Sequence, residues 1–167
     1  MNVAYEWPQA AEAVTRASVV TVGVFDGVHR GHRQVLGDLR AWAAARGDLA
    51  VVVTFDRHPR SLLGGVLPGV LTPPDYQLEL LAGQGIDLTV VAPFDEELRG
   101  LGAGEFVTVL LRERLQARGV QMGYDGAFGR GAEGDFAWLQ ARAGAWGVEV
   151  RQSLLVAFYA LGVSFLV

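Results

Sequence analysis

The stretch that organises the chain reads Thr21-Val22-Gly23-Val24-Phe25-Asp26-Gly27-Val28-His29-Arg30-Gly31-His32. The β-branched and aromatic run over residues 18–25 predicts a buried strand. Apolar residues then recur at steps of three and four over residues 35–43, which predicts a helix with one face against a sheet. A strand, a glycine-rich turn and a helix in this order direct unpaired backbone N–H groups above the strand end. The stretch therefore predicts an anion site suited to phosphate.

Two histidines stand three residues apart at the start of the predicted helix. His29 and His32 project from one face, so both imidazoles can address one phosphate chain and donate to oxygens that gain charge in a transition state. The spacing indicates nucleotidyl transfer. The alternatives are that both histidines are solvated surface residues and that Asp26 is a plain helix N-cap, but the flanking strand and helix favour the phosphate site.

Composition limits the class of protein. The chain has 167 residues, 51% of them hydrophobic and 19% charged, which is typical of one globular domain. The net charge of −4 gives no basic field for nucleic acid or an anionic membrane, so we expect neither as a partner. Cysteine is absent, which excludes disulfides and thiolate catalysis. Residues 1–16 show no secretory pattern, and we expect a cytoplasmic location.

Further apolar runs predict a parallel sheet. The later strands are expected at residues 49–55, 88–92, 120–123 and 148–150. Thr72 is expected to cap a short helix, and the stripe from Phe106 to Leu115 predicts a longer helix closed by Gly119. The fold class is therefore α/β: a Rossmann-like, doubly wound parallel sheet of about five strands. Its crevice lies at the ends of the first, second and fourth predicted strands.

Three loops follow predicted strands or lie beside them. Residues 56–60 read Asp-Arg-His-Pro-Arg, with three potentially basic side chains in an acidic protein, although a solvated basic turn is the alternative. Residues 61–71 predict a mobile loop that serves as a lid. Residues 123–135 are rich in glycine and contain Arg130, so their backbone can lie against a flat ligand.

The stretch from Gly23 to His32 resembles the signature of the His-x-Gly-His nucleotidyltransferases. In its Phe-Asp-Gly-Val-His form it looks like that of the bacterial FAD synthetases, the FMN adenylyltransferase part of the bifunctional riboflavin kinase/FAD synthetase family. Thr-Phe-x-x-His-Pro at residues 54–59 and the glycine-rich loop are similar to further elements of that family. The resemblance implies a nucleotidyltransferase fold and transfer of an adenylyl group from ATP to FMN, giving FAD and pyrophosphate, with Mg²⁺ bridging phosphates. Another phosphate acceptor, or a non-catalytic flavin- or nucleotide-binding module, is the alternative.

The resemblance also implies individual roles. His29 and His32 are expected to be catalytic, and no metal ligand is expected from the protein. The residues expected to bind ATP are Gly23, Phe25, Asp26, Gly27, His29, Gly31, His32 and Ser164. The residues expected on the flavin side are His58, Pro59, Asp125, Phe128 and Arg130.

The chain departs from the family pattern in places. Gly126-Ala127 replaces an aromatic and basic pair, and Ala132 stands where an arginine is common. At the carboxyl end only Val163-Ser164 fits the family's Ser-Ser-Thr-x-x-Arg segment, so we expect impaired transfer. Residues 152–167 contain no charged residue, which predicts a buried or edge strand and self-association. We expect residues 1–167 to form a single nucleotidyltransferase domain without the riboflavin kinase domain.

Overall fold

The computed structural model describes residues 1–59 and 71–153, and these residues build one six-stranded sheet. The strands are β1 Asn2–Ala4, β2 Ser18–Val22, β3 Leu49–Phe55, β4 Leu88–Ala92, β5 Ala117–Met122 and β6 Glu149–Gln152. Their order is β1-β4-β3-β2-β5-β6, and every neighbouring pair is parallel. Because parallel strands need crossover connections, helices are expected between them.

Helices connect the strands on both faces of the sheet. They are α1 Trp7–Ala13, α2 Arg30–Arg46, α3 Pro74–Ala82, α4 Glu96–Gly100, α5 Ala103–Glu105, a π-helical continuation at Phe106–Arg114, and α6 Phe136–Ala143. Short 3₁₀ turns lie at Asp26–Val28, Arg130–Ala132 and Gly144–Trp146. Within the described part of the chain, no helix is long and apolar enough to cross a membrane.

The two faces of the sheet carry separate apolar clusters. Val19 of β2 packs in the cluster that α2 covers with Leu36 and Leu39, whereas Val20 packs in the cluster on the other face. Neither valine has any exposed surface, because successive strand residues point to opposite faces and helices cover both. The continuous apolar runs of the sequence are thereby explained.

Strand β2 is the point at which the strand order reverses. It pairs with β3 on one side and with β5 on the other. In open α/β sheets ligands bind outside the carboxyl ends of the strands at such a point. The first, second and fourth strands predicted from the sequence are thus adjacent, as the doubly wound fold requires, and this expectation is confirmed.

The sheet differs from the expectation in its extent. It has six strands, not about five, because β1 is only three residues long and gives no periodic signal. Strand β2 ends at Val22, three residues before the predicted end. Gly119 does not close a helix but lies within β5, where a Cβ atom would stand 2.7 Å from Cη2 of Trp42. This glycine therefore makes room for the tryptophan ring.

The prediction that Thr72 caps a helix is wrong. Pro73 occupies the N-cap position of α3, and the Thr72 hydroxyl donates a hydrogen bond to Asp26 instead. The lid predicted over residues 61–71 falls outside the described residues except for Leu71. The predictions for residues 154–167, including Ser164, fall outside them entirely.

Candidate active site

Residues 23–32, here called the phosphate turn, leave β2 in an unusual backbone conformation. Gly23 N–H still donates to the Val53 carbonyl at 3.0 Å, after which the chain turns sharply. Phe25, Gly27 and Val28 have φ angles of 51°, 70° and 39°. Glycine adopts this left-handed region easily, but a bulky or β-branched residue does not. The turn is therefore strained at Phe25 and Val28, and such strain is typical of functional sites.

The structure brings His29 and His32 together at the end of the phosphate turn. Their rings stack with centroids 3.7 Å apart and planes inclined by 20°. His29 is the N-cap of α2, and its Nδ1 accepts the His32 backbone N–H at 3.4 Å. Because Nδ1 of His29 accepts, its ring proton is on Nε2, which is left to donate. The exposed side of this pair offers ring N–H donors beside the unpaired amides that open α2.

His32 is held neutral. Burial, together with the neighbouring His29, lowers the pKa of His32 from 6.5 to about 4, although the carboxylates of Asp26 and Asp125 act in the opposite direction. Its ring also meets the Phe25 ring edge-on, at 5.2 Å between centroids. Its buried Nδ1 has no hydrogen-bond partner among the described residues. At pH 7 the ring is therefore uncharged, and a negative charge placed beside it would favour its protonation.

Gly31 separates the two histidines and fits closely under His29. A Cβ atom at Gly31 would stand 3.2 Å from Cε1 and 3.3 Å from Nδ1 of His29. This distance is tighter than ordinary van der Waals contact, so a side chain here displaces the imidazole. The glycine of the His-x-Gly-His pattern thus permits the stacked position of His29.

A cavity of about 380 Å³, here called the β3 cavity, opens beside the phosphate turn at the ends of β3 and β4. Its walls are Tyr5, Val24, Asp26, Thr54, Phe55, Asp56, Arg57, His58, Thr72, Pro74, Asp75, Gln77, Leu78 and Val91. The volume suits a drug-sized organic molecule. Tyr5 is 57% exposed and gives one wall an aromatic face. A flat ligand could lie here with its charged end towards the turn.

Asp56 fixes the rim of the β3 cavity. Its Oδ1 accepts the Phe94 backbone N–H at 2.8 Å, and its carboxylate pairs with Arg57 at 3.1 Å. Burial alone raises the pKa of Asp56, but the hydrogen bonds from Phe94 and Arg57 outweigh it, so the pKa lies below its usual value. The carboxylate thus ties the loop after β3 to the loop after β4, and His58 of the first loop also lines the cavity.

The glycine-rich loop after β5 lies on the other side of the phosphate turn. Asp125 is near enough for its charge to act on His32. The ring of Phe128 packs between Phe106 and Trp138, at 5.5 Å and 6.2 Å between centroids. The Arg130 backbone N–H donates to the Leu101 carbonyl at 2.7 Å. The loop is thus anchored to the rest of the protein, and Asp125 lies on the part of it that is near the phosphate turn.

The predicted residues divide into three places. The residues from Gly23 to His32 form the phosphate turn, His58 lines the β3 cavity, and Asp125, Phe128 and Arg130 belong to the glycine-rich loop. Pro59 follows His58 but is not among the described residues that line the cavity. Of the predicted site residues that the structure describes, only Asp26 and His58 line the cavity, so sequence reasoning missed most of its wall, including Tyr5, Thr72 and Gln77. The sequence singles out Thr72 only as a helix cap, and it gives no signal for Tyr5 or Gln77.

Comparison with known proteins identifies the family. The FAD synthetase family model matches residues 11–164. The chain belongs to the FAD synthetase family. The chain is 34% identical over 141 residues to the bifunctional riboflavin kinase/FMN adenylyltransferase of Escherichia coli (strain K12). The match covers 84% of the chain and 45% of that relative, so the chain spans less than half the length of the relative.

Solved structures share the fold of this chain. A structure titled macrolide-efflux protein from Streptococcus pneumoniae matches with a TM-score of 0.70 and 23% identity, covering 83% of this chain and 45% of the other. Pantothenate synthetase from Thermus thermophilus matches with a TM-score of 0.54 and 19% identity, covering 91% and 61%. At these identities the likeness shows the fold alone. The predicted Rossmann-like, nucleotidyltransferase-type α/β sheet is confirmed.

Proposed function

We propose that this chain transfers the adenylyl group of ATP to FMN, giving FAD and pyrophosphate. A phosphate oxygen of FMN forms a bond to the α-phosphorus of ATP, and the bond from that phosphorus to the pyrophosphate oxygen breaks. The observation that carries the proposal is the stacked His29/His32 pair at the start of α2, on a turn whose Val24 and Asp26 line the β3 cavity. Membership of the FAD synthetase family favours this reaction over another acceptor or binding without catalysis.

Catalysis requires no protein nucleophile, because FMN itself supplies the attacking oxygen. The chain's contribution is to align the two substrates and to stabilise charge on the transferred and leaving phosphates. Neutral His32, the Nε2–H of His29 and the amides that open α2 are the donors for those oxygens. Each donor of this type contributes about a hundredfold to a thousandfold in rate.

The flavin of FMN is assigned to the β3 cavity, with Tyr5 and His58 in its walls. The phosphate of FMN then lies towards the phosphate turn, and the triphosphate of ATP lies over His29 and His32. Asp125 and Arg130 of the glycine-rich loop close the site from the β5 side. Phe128 supports that loop through its packing against Phe106 rather than by direct stacking on the ligand.

Mg²⁺ is proposed to arrive with ATP. Among residues 1–59 and 71–153, no group of three or more histidine, aspartate or glutamate side chains could hold a metal ion. Mg²⁺ commonly binds through substrate phosphates and few protein carboxylates, so the described residues fit a phosphate-held ion better than a protein-held one. When bound, the ion neutralises charge on the phosphates.

The remaining expectations stay proposals with simple tests. We propose that residues 1–167 act as one nucleotidyltransferase domain in the cytoplasm, where ATP is supplied. Self-association through the uncharged segment 152–167 is tested by light scattering at several protein concentrations.

The decisive assay combines FMN, ATP and Mg²⁺ with the chain and separates flavins by chromatography. FAD formation is expected. Riboflavin in place of FMN is the matched control, because it presents the same ring without the attacking phosphate and should give no product. No FAD from FMN, with the chain folded, refutes the proposal. A His32→Ala chain should form FAD about a hundredfold more slowly.

A further inference from the structure

The phosphate turn is fastened to the chain segment that follows residue 70. One carboxylate, that of Asp26, accepts three hydrogen bonds: from the Leu71 N–H at 2.8 Å, the Thr72 N–H at 2.9 Å and the Thr72 hydroxyl at 2.7 Å. The Thr72 oxygen in turn accepts the Gly27 N–H at 3.0 Å. We call this closed set of bonds between Asp26, Gly27 and Thr72 the latch.

Val24, two residues before Asp26, is held as well. The Val24 carbonyl accepts the Thr54 hydroxyl of β3 at 3.1 Å and the side-chain amide of Gln77 in α3. The turn is therefore bound by side chains from two other elements, both distant in sequence. This matters because Phe25 and Val28 have left-handed backbone angles that their own side chains disfavour. A strained turn persists only where surrounding contacts determine it.

The latch lies between the two halves of the site, the β3 cavity and the histidine pair. Val24, Asp26, Thr54, Thr72 and Gln77 all line the β3 cavity, so a molecule in the cavity packs against the residues that hold the turn. On the other side Gly27 continues through Val28 to His29. The same bonds thus set the cavity wall and the position of the histidines.

The geometry points to Asp26 and Thr72 as positioning residues that tie the phosphate turn to the wall of the β3 cavity, so that phosphate on the turn and an aromatic acceptor in the cavity bind with positive coupling. This inference rests on the proposed function for the identity of the acceptor. Neither residue takes part in the chemical step. Asp26 accepts hydrogen bonds from the amides of Leu71 and Thr72 and so fixes their position. Thr72 in turn fixes the Gly27 amide by accepting its hydrogen bond.

The experiment uses three variants of the full chain. Thr72→Val removes the hydroxyl and keeps the shape, and Thr72→Ser keeps the hydroxyl. Thr108→Val is the matched control, because its hydroxyl donates to the Gly104 carbonyl at 2.9 Å, away from the site. Calorimetry at 25 °C measures the affinity for pyrophosphate alone, and the affinity for a non-hydrolysable ATP analogue with and without saturating FMN.

We expect pyrophosphate to bind Thr72→Val about tenfold more weakly than the unmutated chain, while Thr72→Ser and Thr108→Val are unchanged. We also expect FMN to strengthen binding of the ATP analogue at least fivefold in the unmutated chain, a usual size for coupling between sites. That factor should fall to about one in Thr72→Val and return in Thr72→Ser. A merely structural role would weaken binding of both ligands alike and leave the coupling factor unchanged.

Unchanged pyrophosphate affinity or unchanged coupling in Thr72→Val refutes the positioning role proposed for the latch. If Thr72→Val does not fold, Asp26→Asn takes its place, since its side-chain amide nitrogen cannot accept the Leu71 N–H. The two proposals fail separately. Absence of FAD formation refutes the proposed function, and the pyrophosphate measurement then still decides the latch because it requires no flavin.

Discussion

Acidification should destabilise this protein through His32 in particular. The unfolded chain takes up a proton on this residue near its ordinary pKa of 6.5, whereas burial and the neighbouring His29 lower the pKa in the folded protein to about 4. Between these values the unfolded state binds more protons, so stability falls as the pH drops from 6.5 towards 4 and is fully present above 6.5. The difference corresponds to about 3 kcal/mol at most. Because the His32 ring is partly exposed and solvent screens its charge, we expect the free energy of unfolding to fall by about 1–3 kcal/mol.

The perturbation is His32→Gln, which keeps a neutral polar side chain and removes the titration. Urea unfolding at pH 7.5 and pH 4.5 gives the free energy of unfolding for both proteins. The unmutated chain should lose about 1–3 kcal/mol more than the variant across this range. All other titrating groups are common to the two proteins and cancel in the comparison. Parallel losses would mean that His32 is not held neutral, and the reasoning about its role as an uncharged donor would fail.

Three further outcomes are expected. Pyrophosphate binding at pH 5.5 should take up more protons in the unmutated chain than in His32→Gln, as calorimetry in buffers of different ionisation enthalpy will show. Gly31→Ala, whose Cβ would meet His29 at 3.2 Å, should slow FAD formation at least tenfold, and Gly37→Ala in the same helix, with nothing within 4 Å, should not. Gly119→Ala should destabilise the fold by about 1–3 kcal/mol by displacing Trp42, measured by urea unfolding; an unchanged stability would contradict the close fit.

Strands buried on both faces could be predicted from the sequence with their boundaries. Leu49–Phe55 and Leu88–Ala92 are apolar runs that each contain one buried threonine and follow an aspartate, and the observed β3 and β4 have these bounds. The signal is strong because helices cover both faces, so nearly every side chain in the run is apolar. The phosphate turn could also be predicted, since its glycine spacing and its flanking strand and helix are close together in the sequence.

Features that depend on distant contacts could not be predicted. Thr72 stands before two prolines, which locally indicates a helix cap, yet its hydroxyl bonds to Asp26, 46 residues earlier in the chain. Gly119 follows an amphipathic stripe and resembles a helix stop, but its lack of a side chain serves Trp42 on a different element. Tyr5 reaches the β3 cavity only because the three-residue β1 pairs with β4. None of these contacts leaves a periodic pattern.

The phosphate turn has a strained backbone that contacts with residues distant in sequence stabilise. Phe25 and Val28 have disfavoured backbone angles, which cost about 1–3 kcal/mol each. Both side chains are buried in the cluster with Leu36 and Leu39, and burying each contributes about 1.5–3 kcal/mol. The cost of the backbone angles and the gain from burial are of similar size. Packing alone therefore does not favour the observed conformation of the turn over an unstrained one. The hydrogen bonds of Asp26 then decide the balance, because bonds to a charged acceptor contribute about 1.5–3 kcal/mol each. The position of the histidines therefore depends on a carboxylate whose own partners lie 45 and 46 residues away.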